Sequence, residues 1–109
     1  MTTKAIWNGT VIAESSECIL VENNAYFPPE AVNADRLKPN STTSYCPWKQ
    51  GHATYFDVVA GGSTNPAAAW TYRETAEVAK PLRNYIAFWR GVTVTGAEEA
   101  KRFERPGRA

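Results

Sequence analysis

Residues 41–59 read Ser-Thr-Thr-Ser-Tyr-Cys-Pro-Trp-Lys-Gln-Gly-His-Ala-Thr-Tyr-Phe-Asp-Val-Val and carry the strongest β-strand signal in the chain. Their two flanks, Ser41–Tyr45 and Ala53–Val59, are rich in Thr, Tyr, Phe and Val, which are enriched in strands. Gly51 can close the connection between the flanks. The stretch therefore predicts two neighbouring strands joined by a short loop.

The segment before this stretch extends the β pattern toward the N-terminus. Lys4–Trp7 and Thr10–Ala13 flank Asn8-Gly9, the dipeptide that best supplies the two positive φ angles of a type I′ hairpin turn. Cys18–Glu22 follows as a third strand, with Asn23-Asn24 as the next turn. Together these runs predict a β-meander.

Proline shapes the prediction for the region between the two β-rich parts. Tyr26–Pro29 reads as an extended segment at an edge or between sheets, because proline lacks the ladder donor. Pro29–Val32 predicts a single helical turn, since proline suits the first helical position.

The segment after residue 60 predicts two more strands, one helix and a hairpin. Ala67–Tyr72 follows the Gly61–Ser63 turn, and its alanines fit helix or strand, while Trp70 and Tyr72 alternate as in a strand. Thr75–Leu82 is the best helix candidate, with Thr75 as its cap and Pro81 limiting its length. Tyr85–Trp89 predicts a last strand that ends at Arg90-Gly91, and Val92–Val94 is expected to pair back onto it as a hairpin.

These elements predict a mainly β chain. Seven to nine short strands and one short α-helix near 75–82 favour a small curled antiparallel sheet or an open barrel over a parallel α/β sheet. A length of 109 residues fits one domain, which we expect to span residues 1–95. Residues 96–109 are expected to form a polar C-terminal tail or a short helix.

Composition argues against several classes of partner. A net charge of +1 gives no long-range field for a nucleic acid or an anionic membrane surface. Basic residues cluster in the tail, at Lys101, Arg102, Arg105 and Arg108, where nearby glutamates favour a solvated chain end. No N-terminal apolar leader is present, and no run approaches the about 20 apolar residues of a membrane span. The sequence predicts neither a nucleic-acid nor a membrane partner.

The two cysteines, Cys18 and Cys46, are too few for a secreted disulfide framework. A cytoplasmic protein with reduced thiols is therefore the default expectation. Whether the two thiols approach each other is left open by the sequence.

One group of residues near turns and strand ends suggests a binding site. An aromatic-lined hollow with one lysine and one thiol suits a planar or anionic small ligand, although each ring alone is also typical of a β core. Trp48 differs, because Pro47 and Lys49 flank it in a turn where complete burial is difficult. The candidate ligand-binding residues are Tyr26, Cys46, Trp48, Lys49, Tyr55, Trp70 and Tyr72.

Two alternatives to a binding domain stay open. Cys46 could be the nucleophile or redox centre of a thiol-dependent enzyme, activated by Lys49 or His52. Against it, no residue clearly orients His52, and cysteine is often only a small buried hydrophobe. The third hypothesis is a structural or interaction module, such as a homodimer formed through an edge strand.

No metal or cofactor is predicted. One histidine and two isolated cysteines do not make a zinc cluster. Gly61–Ser63 lacks the continuation of a phosphate-binding loop. The only aspartates, Asp35 and Asp57, form no closely spaced pair for two-metal phosphoryl chemistry.

Five short segments in order resemble domain-of-unknown-function family 427 (DUF427), a bacterial family, over roughly Lys4 to Val94. They are Trp7-Asn-Gly9, Tyr26-Phe-Pro28, Cys46-Pro-Trp-Lys49, Asn65-Pro-Ala-Ala-Ala-Trp70 and Tyr85-Ile-Ala-Phe-Trp89. The resemblance implies a compact, mostly β domain of the β-tent or Mss4-like kind. This chain lacks the paired Cys-x-x-Cys knuckles of many β-tent proteins, so no zinc is implied. Gln50 departs from the family pattern, in which glycine follows the lysine directly.

The resemblance implies a fold and leaves the activity open, because the family's function is unknown. A nucleotidyltransferase-like label is sometimes attached to the family. The spacing of the carboxylates in this chain does not support that chemistry, for the reason given for two-metal sites.

Overall fold

The computed structural model describes residues 2–103, which form ten strands and four short 3-10 helices. The strands are β1 (Thr3–Trp7), β2 (Thr10–Ser15), β3 (Ile19–Val21), β4 (Asn24–Tyr26), β5 (Leu37–Cys46), β6 (Gly51–Ala60), β7 (Ser63–Tyr72), β8 (Ile86–Phe88), β9 (Thr93–Thr95) and β10 (Lys101–Arg102). The 3-10 helices are Pro29–Ala31, Ala34–Arg36, Glu77–Leu82 and Ala97–Glu99. Residues 104–109 of the expected polar tail, including Arg105 and Arg108, lie outside the described residues.

The strands form three small sheets. One has the order β2-β1-β9, a second β10-β3-β4 and the third β5-β6-β7-β8. All pairings are antiparallel except that of β10 with β3. The mainly β prediction is therefore confirmed, and the described strands form small sheets with no closed barrel. None of the described helices is long and apolar enough to cross a membrane.

The N-terminal hairpin forms as its turn residues predict. Asn8 and Gly9 have φ angles of 51° and 72°, the left-handed conformation that a type I′ turn requires. The expected meander is wrong, because β3 pairs with β4 and β10 and not with β2. The turn after β3 lies one residue earlier than predicted, with Glu22 and Asn23 at positive φ. This shift places the Glu22 side chain on a turn.

The C-terminal half departs from prediction in two places. Val92–Val94 does not pair back onto the preceding strand, since β9 pairs with β1. The expected helix near 75–82 is a 3-10 helix, Glu77–Leu82, because Pro81 has no N–H to donate to the Glu77 carbonyl. Thr75 does not cap it; its hydroxyl donates to the Ala76 carbonyl and accepts from Arg83 Nε.

Bulges in the long sheet converge on Asp57. The pairing of β6 with β7 shifts between Phe56 and Val58, and Ala67 opposite has a φ of 51°. Asp57 Oδ1 accepts hydrogen bonds from the Ala67 N–H at 2.9 Å and from Asn40 Nδ2 at 2.7 Å. The Asp57 carboxylate of β6 therefore links β5 and β7 by hydrogen bonds at the point where the pairing of β6 with β7 is interrupted. The Ala67 N–H, followed by the Asn40 amide, lowers the pKa of Asp57 below its ordinary value.

We expect this carboxylate to make stability depend on acid pH. A pKa that is lower in the folded than in the unfolded chain stabilises the fold above the unfolded value and loses that contribution as pH falls through the folded value. The Asp57→Asn variant keeps an acceptor oxygen and removes the charge. Urea unfolding from about pH 6 down to about pH 2 measures the free energy of unfolding of both proteins. The amount by which the wild-type value exceeds that of the variant should shrink below about pH 4. A difference that stays constant with pH would contradict this role.

Two hydrophobic clusters fill the interior. The first surrounds Phe27 and contains Cys18, and the second contains Tyr26, Trp70 and Leu82. Phe27 and Ile86 exchange backbone hydrogen bonds of 2.8 and 2.9 Å, which join the segment after β4 to β8. Cys46 packs against the margin of the second cluster. That margin holds the site described below.

Candidate functional site

A cavity of about 300 Å³ opens at the margin of the second cluster. The turn after β3, the loop between β5 and β6, and the aromatic side chains of β6 and β7 surround it. Six of its lining residues are aromatic. The lining residues are Glu22, Asn24, Tyr26, Tyr45, Cys46, Pro47, Lys49, Tyr55, Trp70, Tyr72 and Trp89. We call this space the aromatic cavity.

Six of the seven residues predicted from sequence line the aromatic cavity: Tyr26, Cys46, Lys49, Tyr55, Trp70 and Tyr72. Trp48 does not line it. Its ring instead stacks on Phe103, with centroids 6.2 Å apart and planes 21° apart. The structure thus brings six of the candidates together, and their binding role stays a prediction.

Sequence reasoning missed five lining residues: Glu22, Asn24, Tyr45, Pro47 and Trp89. Tyr45 and Pro47 flank Cys46, and Trp89 ends an aromatic strand motif, so position in the chain could have indicated them. Glu22 and Asn24 depend on the true position of the turn after β3, which the Asn-Asn pair places one residue too late.

We call the six aromatic side chains that line the cavity the aromatic wall, and Trp70 lies at its centre. Only 8% of its surface is exposed. Its ring meets Tyr26 edge-on at 6.1 Å and Trp89 at 5.4 Å, and its Nε1 donates to the Tyr26 hydroxyl oxygen at 3.2 Å. Such edge-to-face pairs contribute about 0.5–1.5 kcal/mol each beyond their buried area. The wall is therefore held by ring geometry as well as by burial.

Strand register explains why these rings converge. Tyr55 of β6 lies opposite Trp70 of β7, and Tyr72 lies two residues further along the same strand, on the same face. Trp89 follows β8 and is fixed by its Nε1, which donates to the Ala67 carbonyl at 2.7 Å. The Arg90 guanidinium covers the Trp89 ring at 4.6 Å.

Tyr26 and Tyr72 of the cavity lining stay protonated at ordinary pH. Burial raises the pKa of Tyr26 to about 12, and burial likewise raises the pKa of Tyr72. The Tyr26 hydroxyl oxygen accepts from Trp70, and its own proton remains available for donation. The wall thus offers apolar faces together with phenolic O–H groups.

Lys49 supplies the buried cation of the site. Its side chain is 2% exposed, and Nζ lies 3.3 Å from Glu22 Oε1 and 3.6 Å from Cys46 Sγ. The same Nζ lies over the rings of Trp48 at 4.6 Å and Tyr72 at 4.9 Å. A buried ammonium group is costly unless it is paired, so the carboxylate and the two rings account for its position.

The loop that carries Lys49 is anchored to the segment before the 3-10 helix Glu77–Leu82. The Ala76 N–H donates to the Lys49 carbonyl at 2.8 Å. Gln50 takes a left-handed φ of 51°, and β6 then begins at Gly51, whose backbone lies against the Glu74 carbonyl. The chain thereby turns back so that Cys46 pairs with Gly51.

The two thiols lie in different parts of the interior: Cys18 belongs to the first cluster and Cys46 packs against the second. Lys49 contacts the Cys46 sulfur. Both cysteines are free; Cys18 lies in the first cluster, where burial raises its pKa to about 11. His52 is exposed and its ring lies 5.0 Å from Tyr45. Of the two proposed activators, only Lys49 has an observed contact with the Cys46 sulfur.

A protein-family model matches nearly the whole described chain. The model described as a domain of unknown function, DUF427, covers residues 2–99. The chain belongs to this family. Every residue that lines the aromatic cavity of this DUF427 chain lies inside the matched range. A search of curated proteins finds no match.

The part of the DUF427 chain that the structure describes contains no cluster of side chains suited to binding a metal ion. Among residues 2–103, no three His, Cys, Asp or Glu side chains lie close enough together to hold a metal ion. Glu22 of the aromatic cavity is engaged by Lys49. The cavity lining offers aromatic faces, the Lys49–Glu22 ion pair and the Cys46 thiol.

Proposed function

We propose that the chain binds a small planar organic molecule in the aromatic cavity and acts as a binding or accessory domain. The observation that carries this proposal is the convergence of six aromatic side chains and one buried lysine around about 300 Å³ of space that the protein does not fill. Small-molecule sites typically enclose about 300–1,000 Å³ and combine apolar walls with a few polar groups. The aromatic cavity fits the lower end of that range.

The ring arrangement favours a flat ligand. Trp70 and Trp89 are held at 70° to each other, and Tyr55 is tilted by 39° and 34° to them. A planar molecule can stack on one ring while it meets the edge of another. An aliphatic chain would not use this geometry.

The polar groups favour a ligand with a hydrogen-bond acceptor at its edge. Lys49 has three N–H donors, of which contacts with Glu22 and Cys46 use two. The third can meet an acceptor on the ligand. Because Glu22 already balances the lysine charge, a strong negative charge on the ligand is not required.

Binding of planar probes tests this function. We expect at least one of adenine, salicylate and quinoline-2-carboxylate to shift the indole N–H resonances of Trp70 and Trp89 in NMR spectra, while that of Trp7 stays in place. The Trp89→Ala variant should weaken this binding about tenfold, the effect of losing about 1.4 kcal/mol of stacking. Val78→Ala is the matched control, because Val78 is similarly exposed and lies outside the cavity lining.

Two results would overturn the proposal. One is that no probe moves Trp70 and Trp89; the other is that Trp89→Ala and Val78→Ala bind equally well. The Cys46→Ser variant separates binding from the thiol-dependent enzyme, which the contact between Cys46 and Lys49 favours as a second candidate. Unchanged affinity in this variant supports a binding site. Covalent attachment of a probe to Cys46, detected by mass, would support the enzyme instead.

A further inference from the structure

The contact between Cys46 and Lys49 places a thiol and a primary amine together in the wall of the aromatic cavity. Nζ lies 3.6 Å from Sγ, and the lysine side chain is 2% exposed. A surface lysine samples many rotamers, whereas this one is confined by Glu22 and by the rings of Trp48 and Tyr72. The amine is thus held against the sulfur.

We propose that hydrogen peroxide converts this pair into a covalent sulfenamide cross-link between Cys46 Sγ and Lys49 Nζ. This modification goes beyond the proposed binding function and does not require it. In the first step the Cys46 sulfur attacks one peroxide oxygen, and the O–O bond breaks. The sulfur is oxidised by two electrons to a sulfenic acid, and the other peroxide oxygen leaves as water.

In the second step the Lys49 ammonium group first passes one proton to the Glu22 carboxylate, whose Oε1 lies 3.3 Å from Nζ, and that proton goes on to solvent. The neutral amine now has a free electron pair and attacks the oxidised sulfur. The S–N bond forms as the S–O bond breaks, and the sulfenic hydroxyl leaves as water with one of the two remaining N–H protons. One peroxide is consumed, two waters are released, and the protein loses two hydrogen atoms from the bonded pair. No further oxidant is needed.

The position of Lys49 beside Cys46 favours the sulfenamide over further oxidation of the sulfur to sulfinic acid. A sulfenic acid that meets no partner proceeds to sulfinic acid, which is irreversible in most proteins. A nucleophile held at contact distance acts at a very high effective concentration. Lys49 can therefore capture the sulfenic acid before a second peroxide arrives.

Cys46 is also the accessible thiol of the two. It lines the aromatic cavity, through which peroxide can reach it. Cys18 is 2% exposed in the first cluster, and burial raises its pKa to about 11, so little of its reactive thiolate forms. Peroxide chemistry should therefore be confined to Cys46.

The test is made on the full chain carrying Cys18→Ser, so that Cys46 is its single thiol and no internal disulfide can form. After treatment with hydrogen peroxide, mass spectrometry should find a monomer lighter by two hydrogen atoms. Trypsin should fail to cut after Lys49 in this species, because the lysine nitrogen is bonded. A thiol reductant should restore both the mass and the cleavage. If Cys18→Ser does not fold, Cys18→Ala serves as the background.

Lys49→Arg is the matched control, because it keeps the charge but replaces the amine with a poorly nucleophilic guanidinium. In this variant we expect no loss of hydrogen, and dimedone should trap Cys46 sulfenic acid in higher yield than in the parent. Lys49→Met gives the same readout if arginine is too large for the site. Oxidation of Cys46 to sulfinic acid at equal rates in parent and control would overturn the proposal. So would a parent protein that never loses the two hydrogen atoms.

Discussion

Replacing Trp70 with alanine should lower the free energy of unfolding by about 3–5 kcal/mol, the usual cost of removing a large aromatic side chain from a core. Trp70 is 8% exposed and contacts the rings of Tyr26, Tyr55 and Trp89. The substitution also removes the donor that the Tyr26 hydroxyl accepts from. Urea unfolding followed by circular dichroism measures the loss.

Trp89→Ala provides the comparison for Trp70→Ala. Trp89 is 40% exposed, although its Nε1 donates to the Ala67 carbonyl. We expect a cost of about 1–2 kcal/mol for this contact and the smaller buried area. If the two variants were equally destabilised, Trp70 would not be the packed centre of the wall.

The Gly51→Ala variant should be destabilised by about 1–3 kcal/mol through overpacking. An added Cβ would overlap the Glu74 carbonyl oxygen, a backbone atom that cannot rotate away as a side chain would. Relief requires the loop that carries Lys49 to move, which weakens the hydrogen bond between the Ala76 N–H and the Lys49 carbonyl. We therefore expect faster amide exchange at Ala76 along with the lower stability.

Gly62→Ala, in the turn between β6 and β7, is the control for a glycine replacement that does not crowd the loop carrying Lys49. Gly62 has a φ of 77° and no atom within 4 Å of an added Cβ, so its cost is backbone strain of about 1–2 kcal/mol. Amide exchange at Ala76 should be unchanged in this variant. A normal Ala76 amide in Gly51→Ala would show that the loop absorbs the extra methyl without moving.

Local patterns predicted the strands well and their partners poorly. Asn8-Gly9 specifies its own turn, because only residues close in sequence take part. The pairings of β9 with β1 and of β3 with β4 and β10 depend on which apolar faces meet in the folded chain. The sequence of each segment alone does not indicate which strand will be its partner. The β-tent or Mss4-like assignment stays an expectation from the family resemblance.

The parts of the cavity lining that consist of aromatic residues could be predicted from residue type alone. Aromatic residues near strand ends indicated most of the aromatic cavity, and the structure gathers six of the seven candidates there. The Trp48 ring stacks on Phe103, a residue distant in sequence, and no local pattern indicates that contact. The ion pair of Glu22 with Lys49 was missed, because a one-residue shift of a turn redirects a side chain that no motif marks.

The pairing of β1 with β9 has a consequence for the order of folding. Thr3 Oγ1 donates to the Gly96 carbonyl across 93 residues of sequence, at 3.1 Å. The β1–β2 hairpin needs only local chain, whereas β9 must close a loop of nearly the whole domain and bears the corresponding entropy. Until it docks, β1 presents an open edge on which a strand of another molecule can pair. We therefore expect the newly made chain to be open to aggregation through this edge until β9 is in place.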